Sequence, residues 1–380
     1  MVTRSEGIDT LLGDGRGGLA APRQSAPSAS AARKLTTGDF NEDGRPDVVT
    51  WGVDWGFLRV QLGDGRGAFL NSAALDPGAG PSSVAVVDQD GDGHLDVVVA
   101  LRSEGTLRLL LGDGRGGLTA RAAFGVGAGP EEVAVADFDR DGQVDVAVAM
   151  RAGVVVLRGD STNTRGLIAF VGGPAAVTTA DFDGSGLIDL AVSDSSTNTC
   201  RIYQNLGAGL FVRGGTVLTG VTPQGVAAAD VDGNGKVDLV VSQGDSNNVW
   251  VYPGTGTSAF TSGFGRAVGL DPSALLIADF NRDAKPDVAV ANQGSASVTV
   301  LLNKASHLDS GTELTVGRQP SALAAGDLNG DGAADLAVSS AERSSIFLLF
   351  GDGQGRFSEG RELPLGPQHL AVAVADAWRN

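Results

Sequence analysis

Seven nonapeptides in this sequence carry aspartate at fixed positions and begin at Asp39, Asp88, Asp137, Asp181, Asp230, Asp279 and Asp327. We number them loops 1 to 7 in chain order. With one departure they follow Asp-x-(Asp/Asn)-x-(Asp/Asn/Ser)-Gly-x-x-Asp. In a tight loop, positions 1, 3 and 5 can aim three side-chain oxygens at one point, position 7 adds its carbonyl group, and position 9 closes the cage. Ca²⁺ takes roughly six to eight such hard oxygen ligands. The pattern therefore predicts about seven structural Ca²⁺ ions.

The predicted metal ligands occupy positions 1, 3, 5, 7 and 9 of every loop. In chain order they are Asp39, Asn41, Asp43, Arg45, Asp47; Asp88, Asp90, Asp92, His94, Asp96; Asp137, Asp139, Asp141, Gln143, Asp145; Asp181, Asp183, Ser185, Leu187, Asp189; Asp230, Asp232, Asn234, Lys236, Asp238; Asp279, Asn281, Asp283, Lys285, Asp287; and Asp327, Asn329, Asp331, Ala333, Asp335. Loops 2 and 3 carry four carboxylates and should bind most tightly. Loop 6 has Ala284 instead of glycine at position 6, where a left-handed backbone costs roughly 1 kcal/mol, so it should be among the weakest.

The spacing of the loops excludes two other calcium folds. An EF-hand requires flanking helices and glutamate at position 12, but position 12 is Thr50 in loop 1 and valine in the other six loops. A calcium β-roll repeats about every nine residues. Successive loops here begin 49, 49, 44, 49, 49 and 48 residues apart. This period marks a larger structural unit.

Each unit reads as four short antiparallel strands, which we label A to D. In residues 81–129 the predicted strands are 84–87, 96–100, 107–111 and 118–124, with a Gly-Asp-Gly-Arg-Gly hairpin turn between the last two. Strand A is rich in alanine, as is expected where strands converge on a propeller axis. A β-sandwich would also accept such a strand, but it does not explain the period. The sequence predicts an all-β fold, a β-propeller of four-stranded antiparallel blades.

The repeats favour eight blades within a single domain, 1–380. Seven blades span about 34–80, 81–129, 130–173, 174–222, 223–271, 272–319 and 320–366. A closing blade would combine residues 367–380, as strand A, with residues 1–33, so that pairing the N- and C-terminal strands hides both sheet edges. Seven blades with ragged ends is the alternative.

These motifs resemble the FG-GAP/VCBS repeat family, which includes the β-propeller of integrin α subunits. Segment 124–130, Phe-Gly-Val-Gly-Ala-Gly-Pro, is similar to the family's Phe-Gly…Gly-Ala-Pro stretch and precedes strand A and loop 3. Segments 75–81 and 170–174 are degenerate copies. The resemblance implies calcium on one face and ligands on the opposite face, at the B–C and D–A loops. Integrin-like propellers have seven blades, which differs from the eight counted here.

Composition limits the partners. The formal net charge is −17, with 45 acidic against 28 basic residues, which argues against nucleic acid and anionic membranes. No run of about 18 apolar residues predicts membrane insertion. The single cysteine, Cys200, cannot form an intramolecular disulfide. We expect a monomer that is extracellular or on the cell surface, as part of a longer secreted protein.

No catalytic motif is apparent. The three histidines lie in different repeats, and the sequence lacks the Gly-x-Ser-x-Gly, HExxH and phosphate-loop patterns. The predicted function is therefore a calcium-stabilised binding or adhesion module for a protein or carbohydrate partner. The alternative is an accessory propeller of a carbohydrate-active enzyme such as a polysaccharide lyase. Trp51 and Trp55, expected in an exposed B–C turn, either form a ligand platform or merely cover the end of the blade.

Overall fold

The computed structural model describes residues 2–4, 7–10, 23–24, 34–52, 57–150, 153–159, 165–169, 174–207, 210–304, 307–340, 342, 345–358 and 361–364. Every regular element in these segments is a β-strand, which confirms the all-β prediction. None of the described segments forms a helix of membrane-spanning length and apolarity.

The N-terminal sheet and blades 1 to 3 contain strands β1 to β16. The N-terminal sheet contains β1 (Val2–Arg4), β2 (Gly7–Thr10) and β3 (Arg23–Gln24). Blade 1 contains β4 (Lys34–Gly38), β5 (Asp47–Gly52), β6 (Phe57–Gly63) and β7 (Phe69–Leu75). Blade 2 contains β8 (Pro81–Val87), β9 (Asp96–Leu101), β10 (Thr106–Gly112), β11 (Leu118–Ala120) and β12 (Phe124–Gly125). Blade 3 contains β13 (Pro130–Ala136), β14 (Asp145–Met150), β15 (Gly153–Leu157) and β16 (Arg165–Ala169).

The remaining four blades repeat the same pattern. Blade 4 contains β17 (Pro174–Ala180), β18 (Asp189–Asp194), β19 (Thr199–Asn205) and β20 (Phe211–Leu218). Blade 5 contains β21 (Pro223–Ala229), β22 (Asp238–Gln243), β23 (Asn248–Tyr252) and β24 (Phe264–Ala267). Blade 6 contains β25 (Pro272–Ala278), β26 (Asp287–Asn292), β27 (Ser297–Leu301) and β28 (Thr312–Thr315). Blade 7 contains β29 (Pro320–Gly326), β30 (Asp335–Ser340), β31 (Ser345–Leu349) and β32 (Arg361–Pro364).

Seven four-stranded antiparallel blades form a β-propeller. In each blade the strands pair in chain order A-B-C-D, and in blade 2 the outer strand is split into β11 and β12, both paired with β10. The N-terminal sheet has three strands in the order β1-β2-β3. That order suits strands B, C and D of an eighth blade, and β1 lies beside β4. The predicted eighth strand A, residues 370–376, lies outside the described residues, so closure by an eighth blade stays a prediction.

The core lies between blades. Strand B is buried at all six positions in blades 2 to 7, because neighbouring blades cover both of its faces. Among the described residues, one hydrophobic cluster joins each successive pair from blades 1 and 2 to blades 6 and 7. Burying apolar surface in this way is the main driving force for folding. Because the strands of each blade pair antiparallel in the order A-B-C-D, the A–B loops and C–D turns lie at one face of the propeller, and the B–C and D–A loops lie at the other.

Candidate metal centres

The aspartate at position 9 connects each aspartate loop to its blade. In loop 5, one carboxylate oxygen of Asp238 accepts the N–H of Val231 at 2.8 Å, and the other accepts the N–H of Gly254 at 2.7 Å. Gly254 opens the C–D turn of the same blade. The position-9 aspartates make this pair of bonds in all seven loops and are fully buried: Asp47, Asp96, Asp145, Asp189, Asp238, Asp287 and Asp335. Each aspartate thus holds the A–B loop and the C–D turn together.

Burial raises the pKa of all seven position-9 aspartates, and their backbone hydrogen bonds oppose the rise. The pKa of Asp189 reaches about 6, as does that of Asp287. In both loops, the carboxylate at position 1 and a second carboxylate at position 3 or 5 raise this pKa further, because like charges oppose ionisation. A cation bound among these groups would favour their charged forms.

Carboxylate oxygens converge in four of the loops. In loops 2, 3, 4 and 5, ligand atoms from positions 1, 3 and 9 all lie within 4.8 Å of one another. The converging residues are Asp88, Asp90 and Asp96; Asp137, Asp139 and Asp145; Asp181, Asp183 and Asp189; and Asp230, Asp232 and Asp238. Loops 1, 6 and 7 have asparagine at position 3, so they offer an amide oxygen there instead of a carboxylate. These hard oxygen donors fit Ca²⁺.

Position 5 has a second role in the loop. Its side-chain oxygen accepts the backbone N–H of position 7 in every loop; for example, the N–H of His94 donates to Asp92 at 2.8 Å and the N–H of Gln143 donates to Asp141 at 2.8 Å. The fourth carboxylate of loops 2 and 3 is therefore also a turn-forming acceptor, as Ser185 is in loop 4. Tighter calcium binding by loops 2 and 3, and a ligand role for the position-7 carbonyls, stay predictions.

Two positions of each loop adopt a left-handed backbone. Position 6 does so everywhere, including Ala284 with φ of 62°, as the sequence predicted. Position 4 does so as well, and it is not glycine in loops 1, 3 and 6. There Glu42 contacts His94 of loop 2, Arg140 bonds the carbonyl of Gly186 in loop 4, and Arg282 donates to the carbonyl of Asp331 in loop 7 at 2.7 Å. These side chains link the aspartate loops of neighbouring blades.

An arginine at the C–D turn of blade 3 contacts loop 3. The guanidinium group of Arg158 pairs with Asp139, with Nε 2.5 Å from the carboxylate oxygen. Blade 4 has the neutral side chain of Gln204 at the same turn position, and its amide bonds Asp183 at 3.2 Å. Sequence reasoning missed both contacts. The available signal was that residue 158 is charged, whereas the corresponding residues of the other blades are Leu62, Leu111, Gln204, Pro253, Leu302 and Phe350.

The predicted position of Trp51 is wrong. It lies in strand β5, it is 4% exposed, and it packs in the cluster between blades 1 and 2 with Phe40 and Leu58. Strand B extends further along the chain than the apolar pattern indicated, so Trp51 faces the next blade and offers no surface to a ligand. Trp55 lies outside the described residues.

The fold and the seven aspartate loops together define a β-propeller with candidate metal sites on one face. A model of the FG-GAP-like repeat matches residues 39–99, 90–148, 181–241, 230–290, 279–338 and 327–377. These segments cover well over half of the chain, which therefore belongs to the FG-GAP-like repeat family. No curated protein sequence matches the chain.

Several solved structures share the fold at low sequence identity. A protein from Lactobacillus plantarum is 15% identical with a TM-score of 0.61, covering 89% of this chain and 98% of its own. A lectin from Agrocybe aegerita that recognises non-reducing terminal N-acetylglucosamine is 17% identical with a TM-score of 0.52, covering 95% and 93%. A catalytically inactive virginiamycin B lyase from Staphylococcus aureus is 13% identical with a TM-score of 0.50, covering 87% and 88%. These similarities concern the fold alone.

Proposed function

We propose that this protein is a non-catalytic, calcium-stabilised binding module. The observation that carries the proposal is the convergence of three carboxylates within 4.8 Å in each of four loops, each anchored by a buried aspartate. Such groups repel one another, and Ca²⁺ would turn that repulsion into attraction. Calcium at about 1 mM, the level expected outside cells, would stabilise each site by roughly 1.4–2.7 kcal/mol if each Kd were about 10–100 μM.

Calcium removal tests the first half of the proposal. We expect EDTA to lower the midpoint of thermal unfolding markedly, and added Ca²⁺ to restore it. Mg²⁺ at the same concentration serves as the control, because it demands near-octahedral geometry and keeps its waters. Equal unfolding temperatures in EDTA and in calcium would contradict a structural role for the metal.

The face opposite the metal loops is the proposed partner surface. Leu218, Val221 and Leu270 are 79%, 50% and 55% exposed there; Leu218 ends strand β20, and Val221 and Leu270 lie in the D–A connections that follow blades 4 and 5. Exposed apolar side chains that occur together mark interaction surfaces more often than isolated ones do. The B–C turn of blade 5, residues 244–247, lies between the two connections. This surface suits an apolar part of a protein or glycan partner.

Hydrogen bonds hold these connections in place. Ser246 accepts the N–H of Val221 at 3.2 Å, and Asn247 accepts the N–H of Asp271 at 2.8 Å. Thr222 and Asp271 have left-handed backbones, with φ of 56° and 51°. The residue before strand A is also left-handed in blades 2, 3 and 7, so this backbone conformation belongs to the D–A connections of the fold. An ordered surface loses less conformational entropy when a partner binds.

A glycan array and a protein pull-down, each with and without calcium, would identify the partner class. The combined variant Leu218→Ser, Val221→Ser and Leu270→Ser should then weaken capture at least tenfold. Leu206→Ser with Leu210→Ser is the matched control, because both leucines are about equally exposed, at 61% and 60%, near the C–D turn of blade 4 on the metal-loop face. Equal loss of partner capture in both variants, or loss in the control alone, would contradict the proposed location of the partner surface.

A further inference from the structure

One junction between blades is built differently from the others. In loops 1, 3, 4, 5 and 6, position 2 is a large apolar residue that is buried in the cluster shared with the next blade. Three of these residues meet an aromatic ring of the next blade edge to face, for example Phe138 with Phe211 at 5.6 Å between ring centroids. Loop 2 has Gln89 at this position. The cluster between blades 2 and 3 contains no side chain from position 2.

A cavity of about 190 Å³ lies at this junction, beside Gln89. Its apolar wall includes Leu107 and Phe124 of blade 2 and Val146 and Leu157 of blade 3. Arg108 and Arg158 also line it. At the two flanking junctions the position-2 residues are the buried phenylalanines Phe40 and Phe138. The lining combines an apolar body with two guanidinium groups.

Within the described part of the chain, two buried polar atoms of the cavity lining lack hydrogen-bond partners. Gln89 is 8% exposed, and its Nε2 donates to the carbonyl oxygen of Val144 in blade 3. Among the described residues, its Oε1 has no hydrogen-bond partner, and neither has Nε of Arg108. The guanidinium group of Arg108 lies 3.9 Å from the carboxylate of Glu104. Buried polar groups are nearly always hydrogen-bonded, so this acceptor and this donor require partners from a ligand or from water.

We propose that the cavity binds a small molecule with one apolar ring and a carboxylate. An engineered cavity of about 150 Å³ holds benzene, so the volume here suits a single substituted ring. The carboxylate would accept from Arg108, whose Nε offers an unused donor beside a full positive charge. A ring hydroxyl would donate to Oε1 of Gln89. The apolar wall excludes a ring that carries hydroxyl groups on both faces, because those groups would be buried without partners.

Calorimetry on the full chain in 1 mM calcium would test the site with 4-hydroxybenzoate, benzoate, phenol and glucuronate as probes. We expect one site per chain, with Kd for 4-hydroxybenzoate between about 10 μM and 1 mM. Benzoate should bind more weakly, phenol about tenfold more weakly, and glucuronate should not bind. If none of the aromatic probes binds below about 10 mM, the cavity is a water-filled packing defect and the proposal is wrong. Binding of glucuronate as tight as that of benzoate would also overturn it.

Variants locate the binding. Gln89→Phe restores the residue of loops 1, 3, 4 and 6, fills the cavity, and should abolish binding without lowering the unfolding temperature. Gln89→Leu, which copies Leu328 of loop 7, serves the same purpose if the larger ring fits poorly. Arg108→Leu should weaken 4-hydroxybenzoate about tenfold, whereas Arg121→Leu, an exposed arginine outside the cavity, should leave Kd unchanged. Undiminished binding in both Gln89 variants would place the site elsewhere.

Discussion

Position 9 and the rim of each aspartate loop differ in which residue types they accept. Position 9 is aspartate in all seven loops, and both of its oxygens accept backbone N–H groups from two separate segments of the blade. Positions 3 and 5, which form the rim of the loop and of which only position 5 is exposed in all seven loops, vary between aspartate, asparagine and serine. An amide or hydroxyl oxygen can replace a carboxylate as a turn acceptor or as a metal ligand. A single amide or hydroxyl oxygen cannot replace the carboxylate at position 9, because each of its two oxygens accepts a different buried N–H group.

The comparison separates architecture from metal chemistry. The position-9 aspartate holds the blade together whether or not metal is bound, because its hydrogen bonds are made within the chain. The residue types at positions 3 and 5 determine how many negative charges each loop offers to a cation. Substitutions at position 9 and at the rim should therefore differ in whether their effect depends on calcium.

The largest effect is expected at position 9. Asp238→Ala would leave the N–H groups of Val231 and Gly254 buried without acceptors, at a cost of about 2–5 kcal/mol in unfolding free energy. Urea unfolding in EDTA and in calcium would measure it, and the loss should appear in both. The matched control is Asp232→Asn, the residue that loops 1, 6 and 7 carry at position 3.

In EDTA, Asp232→Asn should change the unfolding free energy by less than about 0.5 kcal/mol. In calcium it should lose stability as its site weakens. If Asp238→Ala were harmless in EDTA, the position-9 aspartate would be a metal ligand without an architectural role.

The pH dependence of stability should reverse with calcium. Without metal, the folded-state pKa of Asp189 and Asp287 is about 6, above the ordinary value of 3.8. A raised pKa means that folding favours the protonated form. This contribution is complete below about pH 4 and is lost as the pH rises through 6, at roughly 2 kcal/mol for each group. Calcium requires the charged form, so in calcium stability should increase over the same interval.

Thermal unfolding between pH 4 and pH 7.5 would measure both trends. The net charge of −17 also destabilises the metal-free chain as pH rises, and 0.5 M NaCl would screen that long-range repulsion while leaving buried groups largely unaffected. Slopes of the same sign in EDTA and in calcium would contradict the assignment of these loops as calcium sites.

A smaller effect is expected at the rim of loop 3. Arg158→Leu would remove the guanidinium group that pairs with Asp139 and install the residue of blades 1, 2 and 6. Calcium affinity of this loop should rise about tenfold, equivalent to about 1.4 kcal/mol. Native mass spectrometry at graded calcium would count the ions bound per chain. Gln204→Leu, which removes a neutral partner of Asp183, should shift the count less.

Periodicity predicted the features that every blade shares. Loop spacing and the small residues of strand A led to four-stranded blades and to the position-9 aspartate, because selection for one packing unit repeats the same residues. The family follows from the same repeats. Glycine at position 6 was also predictable, since the left-handed backbone there favours it.

Features that belong to a single junction were not predictable. Trp51 was expected in a turn because aromatic residues at a strand end carry no periodic signal, yet the next blade covers it. The contact between Arg158 and Asp139 joins residues 19 apart whose approach depends on the C–D turn. Position 2 is unrestricted in the sequence pattern of the loops, so only the packing of the other position-2 residues shows that Gln89 replaces a buried apolar side chain.

The smallest effect concerns the backbone of the rim. Ala284 has φ of 62° in loop 6, whereas Gly235 occupies the same position in loop 5 with φ of 77° and open space around its Cα. Ala284→Gly should therefore stabilise the protein by about 0.5–1 kcal/mol, the relief of left-handed strain less the extra entropy of the unfolded chain. Gly235→Ala should destabilise it by a similar amount. Because no neighbouring atom obstructs the added methyl group, thermal unfolding in EDTA would isolate the backbone term. Equal and opposite shifts would attribute the difference between these two loops to strain, whereas shifts seen only in calcium would attribute it to the metal.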